Sequence, residues 1–133
     1  MSHIKNCYKN YANFNGRATR KEFWFFYLFV NAVSLILWLL AYASAYTLGY
    51  FDAHPSDNTF LFVMLFLPFI LFILSSTVPV YAAGARRLHD AGLSAWLQIL
   101  YATPYTCFVV IILWCLKSKH GDNQYGPAPL DRQ

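Results

Sequence analysis

The charged residues of this 133-residue chain are spaced so that three long stretches contain none of them. The uncharged stretches run from Phe23 to Phe51, from Asn58 to Ala85 and from Ala91 to Leu116. Each is about 26 to 29 residues long, and a helix needs only about 20 residues to cross the hydrocarbon core of a bilayer. A soluble helix of this length would carry charges on its solvent face. The spacing therefore predicts three transmembrane helices. Their expected bounds are 23–46, 60–83 and 95–116.

The composition supports the same class of protein. Hydrophobic residues make up 58% of the chain and charged residues 12%, about half the charged share of a soluble domain. This balance excludes a disordered chain, a coiled coil and a nucleic-acid binder that depends on dense phosphate contacts. We therefore predict an all-α integral membrane protein that forms one polytopic domain over residues 1–133.

Trp96 and Trp114 indicate how the third stretch spans the bilayer. They lie eighteen residues apart, which is about 27 Å along an α-helix, and tryptophan is enriched at both interfaces of a membrane. One continuous third helix would carry an aromatic anchor at each end. Pro104 leaves an alternative open, because a proline within the stretch can break it into a re-entrant or split hairpin.

The Lys and Arg residues outside the spans predict the orientation. With the N-terminus in the cytoplasm, seven of them lie inside, three lie in the polar tail at 117–133, and none lies in the 51–59 loop. The opposite orientation would reverse this balance, and positive residues favour the cytoplasmic side. We therefore predict a cytoplasmic N-terminus. Three full spans place the tail outside, whereas the hairpin alternative returns it to the inside.

Residues 1–15 have the pattern of an amphipathic helix. Apolar side chains recur at steps of three and four residues from Ile4 to Phe14, with lysines and asparagines between them. Beside a membrane span, such a helix is expected to lie in the plane of the lipid headgroups. A helix packed on the protein's own cytoplasmic side is the alternative.

The residues before the first span combine a capping signal with positive charge. Thr19 and Glu22 have the spacing of a capping box, in which Thr19 caps the helix and Glu22 reaches back to the Thr19 amide. Arg17, Arg20 and Lys21 are placed to meet anionic lipid phosphates. Alternatively, these three residues only set the topology.

The segment after the second span carries the most chemistry in the chain. Its polar residues are Arg86, Arg87, His89 and Asp90. Polar groups at the edge of a bilayer are usually paired or functional, and Arg86 and Asp90 have the spacing of a helical ion pair. Gly92 is predicted to end this helix, and Ser94 is predicted to cap the next one.

Three roles are open for this polar set: it clamps a lipid phosphate, it shuttles a proton, or it locks the loop onto residues 15–22. The structural lock is favoured, because a tight helix–turn–helix already explains most of the segment. A zinc site is not expected, since one histidine and one aspartate do not make one.

Three motifs occur in a fixed order along the chain. They are FNGRATRKEFW at 14–24, ARRLHD at 85–90 with SAW at 94–96, and GDN at 121–123 with YGP at 125–127. In this order and spacing they resemble the bacterial inner-membrane family catalogued as domain of unknown function 805, the YhaH-like family. The resemblance covers nearly the whole chain and implies a small polytopic protein of the bacterial cytoplasmic membrane. It implies no activity, because the family has no agreed one.

These observations favour a non-enzymatic protein that binds anionic lipid or a membrane-protein partner through basic residues at its inner face. The candidate binding residues are Arg17, Arg20, Glu22, Arg86, Arg87, His89, Asp90 and Asn123. A small transporter or channel working as a homo-oligomer is the second hypothesis. A lipid-headgroup enzyme with His89 and Asp90 as acid and base is the third. We expect no cofactor, no metal ion and no nucleic-acid ligand.

Overall fold

The computed structural model describes residues 2–47, 59–102, 105–119 and 121–127. Its helices are α1 (Ser2–Lys9), α2 (Arg20–Thr47), α3 (Thr59–Asp90), a 3-10 helix (Ala95–Ala102) and α4 (Cys107–Cys115). Within these ranges, the only β-type pairing is an isolated bridge between Asn123 and Gly126. The all-α class is therefore confirmed. The 51–58 part of the predicted loop, the proposed break at Pro104 and the end of the tail lie outside the described residues.

Two helices, α2 and α3, are long and apolar enough to cross a membrane. Only 17% of the most apolar 18-residue stretch of α2 is buried. The corresponding stretch of α3 is 6% buried. A core helix of a soluble protein would bury this surface, so the exposure favours contact with lipid. Helix α3 continues seven residues beyond the predicted end of the membrane span at residue 83, to Asp90, and its terminal charged residues have partners inside the protein.

The third uncharged stretch is not one continuous helix, so the predicted span at 95–116 is wrong in that form. A 3-10 helix covers Ala95–Ala102, and α4 begins at Cys107 and ends at Cys115. The two pieces contact each other. Trp114 is 2% exposed and packs against Phe23, with ring centroids 4.7 Å apart. It is a core residue of the protein, and not the predicted interfacial anchor.

Helix α1 is shorter than the predicted helix over 1–15 and lies on the protein itself. It ends at Lys9, where Asn10 donates its side-chain amide to the carbonyl of Asn6 at 2.9 Å. Asparagine side chains bond nearby backbone groups and so compete with helix continuation. Cys7 is fully buried, and Tyr8 meets Phe26 of α2 edge to face at 5.3 Å. A position in the lipid headgroup plane stays a prediction.

The chain divides into two compact units. The first contains Met1–Tyr27 and Val78–Gln133, and the second contains Leu28–Thr77. The first unit has an aromatic core in which Trp114 contacts Phe23, Tyr27 and Tyr101. All of the candidate site residues belong to this first unit.

Candidate functional site

The end of α3 positions the polar residues of the site. The amide of Leu93 donates to the carbonyl of Leu88 and the amide of Gly92 to that of His89, both at 2.9 Å. Gly92 has φ of 78°, a conformation that favours glycine. These bonds form a Schellman motif, which confirms Gly92 as the helix terminator. The motif holds the last turn of α3 in place.

We use the term arginine cluster for Arg17, Arg86 and Arg87 together with the carboxylates of Glu22 and Asp90. Asp90 pairs with two arginines from different parts of the chain. Its Oδ1 accepts from Nε of Arg17 at 3.1 Å, and its Oδ2 accepts from Nη1 of Arg87 at 2.7 Å. The side chains of Asp90 and Arg87 are fully buried, and that of Arg17 is 1% exposed. Ser118 also donates to Oδ2 of Asp90.

Arg86 pairs with Glu22 and not with Asp90, so the predicted Arg86–Asp90 pair is wrong. Nη1 of Arg86 lies 3.5 Å from Oε1 of Glu22. The same oxygen accepts from Nδ2 of Asn6 at 2.6 Å and from the thiol of Cys7 at 3.7 Å. Residues 17–22 bring Arg17 and Glu22 against the end of α3. Asp90 therefore pairs with Arg17, and Arg86 pairs with Glu22.

The start of α2 follows only half of the predicted capping box. Oγ1 of Thr19 accepts from the amide of Glu22 at 3.1 Å, which confirms Thr19 as the N-cap. The carboxylate of Glu22 does not complete the box, because it is turned towards Asn6 and Arg86. Tertiary ion pairing thus takes the place of the expected local bond.

The thiol of Cys7 donates to the Glu22 carboxylate. Its surroundings favour the neutral, protonated thiol. Burial, with a further contribution from the neighbouring Glu22 carboxylate, raises the pKa of the Cys7 thiol to about 12. A thiol with a raised pKa is a weak nucleophile at neutral pH. Cys7 is therefore a buried structural group.

Backbone contacts join the N-terminal segment to α3 at the same place. The amide of Ala18 donates to the carbonyl of Arg86 at 3.0 Å. Nδ1 of His89 lies 3.2 Å from the carbonyl oxygen of Gly16. Together with the Arg17–Asp90 pair, these contacts form the predicted structural lock between the two segments.

The residues after α4 fold back over the cluster. We call Lys117–Lys119 and Gly121–Pro127 the tail strap. Nη1 of Arg17 donates to the carbonyl of Gly121, and its Nη2 donates to that of Lys119, both at 2.7 Å. Nδ2 of Asn123 donates to the carbonyl of His89 at 2.9 Å. The rings of Tyr125 and His89 are stacked 3.9 Å apart at 8°.

Arginines also bind the carbonyls at the end of α4, which the sequence did not predict. Arg87 donates from Nε to the carbonyl of Trp114 at 2.9 Å, and from Nη2 to that of Leu116. Nε of Arg20 donates to the same Leu116 oxygen at 3.0 Å. Positive groups at a helix C-terminus are favourable, since its carbonyls are unpaired and carry partial negative charge.

A close contact at Gly84 is a second feature that sequence analysis missed. A Cβ at this position would lie 2.2 Å from Nε2 of Gln98 and 3.0 Å from Cζ2 of Trp114. Because glycine has no side chain, the amide of Gln98 and the ring of Trp114 can pack closely against α3 here. Gly84 directly precedes the ARRLHD motif, but Gln98 and Trp114, which pack against it, lie in later segments of the chain.

The positive residues of this unit divide into two groups by exposure. Arg86 and Arg87 are buried, and the Arg17 side chain is 1% exposed. The remaining described cations are exposed: Lys5, Lys9, Arg20, Lys21, Lys117 and Lys119. Tyr8, Tyr11 and Phe14 are exposed near the lysines of the N-terminal segment. The accessible positive charge is therefore largely separate from the ARRLHD motif.

The sequence of this chain is similar to those of known proteins. The family model described as a protein of unknown function, DUF805, matches residues 11–127. The inner membrane protein YhaH of Escherichia coli K12 is 34% identical over 124 residues, which cover 91% of this chain and 90% of YhaH. The inner membrane protein YhaI of the same strain is 32% identical over 122 residues, covering 91% of this chain and 89% of YhaI. No solved structure is significantly similar to the chain.

Proposed function

This chain belongs to the DUF805 family of bacterial inner-membrane proteins, and we propose that it binds anionic lipid headgroups through its exposed cations. The observation that supports this function is the division of positive charge described above. Three arginines form ion pairs inside the protein: Arg17, Arg86 and Arg87. The lysines are exposed, and those of the N-terminal segment lie near exposed aromatic side chains. Lysines near a membrane surface are attracted to anionic lipids, and aromatic rings favour the headgroup region.

The proposal moves lipid contact away from most of the residues predicted from the sequence. Of the eight predicted binding residues, Arg20 is exposed, although it also bonds the Leu116 carbonyl. Glu22, Arg86, Arg87, His89 and Asp90 are buried. We assign these five residues, with Arg17 and Asn123, to holding the unit together. The lipid surface is then formed by Lys5, Lys9, Arg20, Lys21, Lys117 and Lys119.

A topology with both ends in the cytoplasm goes with this function. Arg17 contacts the tail strap directly, and two segments in contact outside the spans lie on the same side of a bilayer. In this arrangement α2 and α3 cross the membrane, and residues 95–116 form a hairpin that enters and leaves on one side. All ten Lys and Arg residues then lie inside, as the positive-inside rule favours.

The topology is tested by fusing a reporter to the C-terminus. Fusion of green fluorescent protein should give fluorescent cells, and fusion of alkaline phosphatase should give no activity. The reverse pair of results would contradict the hairpin and restore the third full span. A matched fusion within the 51–59 loop should give the opposite pattern.

Lipid binding is tested with the purified full chain in detergent. We expect phosphatidylglycerol to raise the thermal unfolding temperature more than phosphatidylcholine does. Substituting Lys5, Lys9 and Lys21 by glutamine should remove about half of that difference, because they are three of the proposed cations and each contributes about 1 kcal/mol near an anionic surface. The matched control replaces the same three residues by arginine and should retain it. An equal response of the glutamine variant and the unchanged protein would contradict the proposal.

The other two hypotheses acquire no specific support. For the headgroup enzyme, Asp90 is engaged with Arg17, Arg87 and Ser118, and the ring of His89 lies between Gly16 and Tyr125. These contacts hold both side chains in structural roles. The oligomeric transporter or channel stays a prediction.

A further inference from the structure

Two buried side chains of the first unit carry N–H groups that have no hydrogen-bond acceptor among the described residues. They are the amide of Gln98, at Nε2, and the indole of Trp114, at Nε1. Gln98 is 7% exposed and Trp114 is 2% exposed. An unpaired buried donor carries the full cost of its removal from water, and native proteins rarely leave one so. We therefore expect each of these donors to have an acceptor.

Both donors lie at one place on α3, beside Gly84. A Cβ on Gly84 would have Nε2 of Gln98 as its nearest neighbour, followed by Cζ2 and Cε2 of Trp114 at 3.0 and 3.3 Å. Cε2 is the ring carbon to which Nε1 is bonded. The 3-10 helix supplies Gln98, and α4 supplies Trp114. Two separate segments thus bring an N–H group to the same part of α3, where one acceptor can serve both.

The surroundings of the two donors favour a neutral acceptor over an anion. Both donor groups are uncharged. The Trp114 ring packs against three other aromatic rings, those of Phe23, Tyr27 and Tyr101. The neighbouring Arg87 donates to the Trp114 carbonyl at 2.9 Å and pairs with Asp90, so its charge is engaged elsewhere. Burial of an unpaired anion is costly, whereas a neutral oxygen has two lone pairs and can accept from both N–H groups.

We propose that Gln98 and Trp114 bind a common neutral oxygen atom, which links the 3-10 helix to α4 beside Gly84. A buried water molecule and the ester carbonyl of a membrane lipid share this chemistry. Water suits the site because buried waters bind polar groups that would otherwise be unpaired. The lipid source rests on the proposed function, which places residues 95–116 in the membrane. The site is distinct from the proposed lipid surface, because its donors are buried and uncharged.

The experiment observes the indole N–H of Trp114 by nuclear magnetic resonance, in the full chain with isotope-labelled tryptophan in phosphatidylglycerol nanodiscs. The other three indole signals are assigned from Trp24→Phe, Trp38→Phe and Trp96→Phe. A rotating-frame Overhauser cross-peak from the Trp114 N–H to water is expected for a bound water molecule, and its sign separates contact from proton exchange. A cross-peak to the lipid protons beside the ester groups is expected for an ester carbonyl. Absence of both cross-peaks would overturn the proposal, because the amide oxygen of Gln98 would then be the acceptor for the indole.

Gln98→Met tests whether the two donors share the oxygen. Methionine has a similar length but no N–H group, so the Trp114 cross-peak should fall about threefold or more with the loss of one hydrogen bond. Gln124→Met makes the same exchange at an exposed position and should leave the cross-peak unchanged. Gln98→Asn, which withdraws the amide by one methylene group, replaces Gln98→Met if that variant fails to fold. An unchanged cross-peak in a folded Gln98 variant would overturn the shared site.

The lysine surface and this site are tested independently. Substituting Lys5, Lys9 and Lys21 by glutamine should lower the thermal response to phosphatidylglycerol and leave the Trp114 cross-peak intact, because the site uses none of these lysines. Gln98→Met should have the reverse effect. Loss of the cross-peak in the lysine variant would overturn the site, whereas an unchanged thermal response with an intact cross-peak would contradict the lysine surface and support the site.

Discussion

Arg17 and Asp90, which are 73 residues apart in the sequence, form a buried ion pair at 3.1 Å. The pair joins the segment before α2 to the last residue of α3, and the tail strap lies against the same guanidinium. One arginine thus connects three segments of the chain. This arrangement makes the carboxylate of Asp90 the group on which the cluster depends most.

Replacing Asp90 by asparagine is expected to lower the free energy of unfolding by about 3–5 kcal/mol. The charges of Arg17 and Arg87 would remain buried without their carboxylate, which costs more than the pair itself contributes. Thermal and chemical unfolding followed by circular dichroism in detergent would measure the loss. The exposed control Lys117→Gln should stay within about 0.5 kcal/mol of the unchanged protein.

A double-mutant cycle distinguishes ion pairing from a general packing effect. Arg17→Gln and Asp90→Asn together should cost less than the sum of the two single substitutions, by about 0.5–3 kcal/mol. Strictly additive effects would show that the two side chains do not depend on each other.

Replacing Gly84 by alanine is expected to destabilise the first unit by about 1–3 kcal/mol. The new Cβ would overlap Nε2 of Gln98 and press on the ring of Trp114. This overlap outweighs the gain of about 1 kcal/mol that alanine brings to a helix. The measurement is again the free energy of unfolding. Adding Gln98→Ala should restore part of the loss, and no restoration would locate the strain elsewhere.

Replacing Gly92 by alanine is expected to cost about 1–2 kcal/mol, because φ at this position is in the left-handed region. Gly92→Asn should cost less, since asparagine tolerates that conformation better. The side chain of Lys119 lies near the new Cβ but is flexible and can move away. Equal stability of the alanine and asparagine variants would contradict the backbone explanation.

The free energy of unfolding should fall above about pH 9, because the buried thiol of Cys7 resists losing its proton in the folded state. The pKa of this thiol is raised from 9.0 to about 12 on folding, so the folded state holds the proton more tightly than the unfolded state. The stabilisation is complete below pH 9.0 and is lost as the pH rises towards 12. Its contribution to the slope is at most about 1.4 kcal/mol per pH unit.

The comparison of Cys7→Ala with the unchanged protein isolates this effect. The two proteins share every other group, so the difference between the two curves belongs to Cys7. The exposed Cys115 provides the control, because Cys115→Ala should keep the full slope. Parallel curves for Cys7→Ala and the unchanged protein would contradict the raised pKa.

Local signals in the sequence predicted two helix ends, the start of α2 and the end of α3. Thr19 caps α2 and Gly92 ends α3, as their residue types and positions indicate. These features depend on backbone groups only a few residues away, so the sequence nearby contains the information. Pairing on one helix was predicted less well. Spacing alone allows Arg86 to reach Asp90, but it cannot show that Arg17 and Glu22 arrive from another segment.

The third uncharged stretch shows where hydropathy stops being informative. An absence of charge between Ala91 and Leu116 indicates an apolar environment, and it holds equally for a helix that crosses a bilayer and for a hairpin that turns back. The 3-10 helix and α4 are separate pieces because α4 packs Trp114 into the aromatic core of the first unit. Packing between segments that are distant in the sequence, and not hydropathy, decides whether this stretch forms one helix or two separate pieces.

The sequence by itself determined that this is an all-α membrane protein of a recognisable family, because charge spacing, apolar length and short motifs follow directly from the order of residues. Only the tertiary structure decided which arginines are buried and which cations are exposed. Burial of Arg17, Arg86 and Arg87 depends on partners far along the chain, and a charge moves out of water only where such partners meet it.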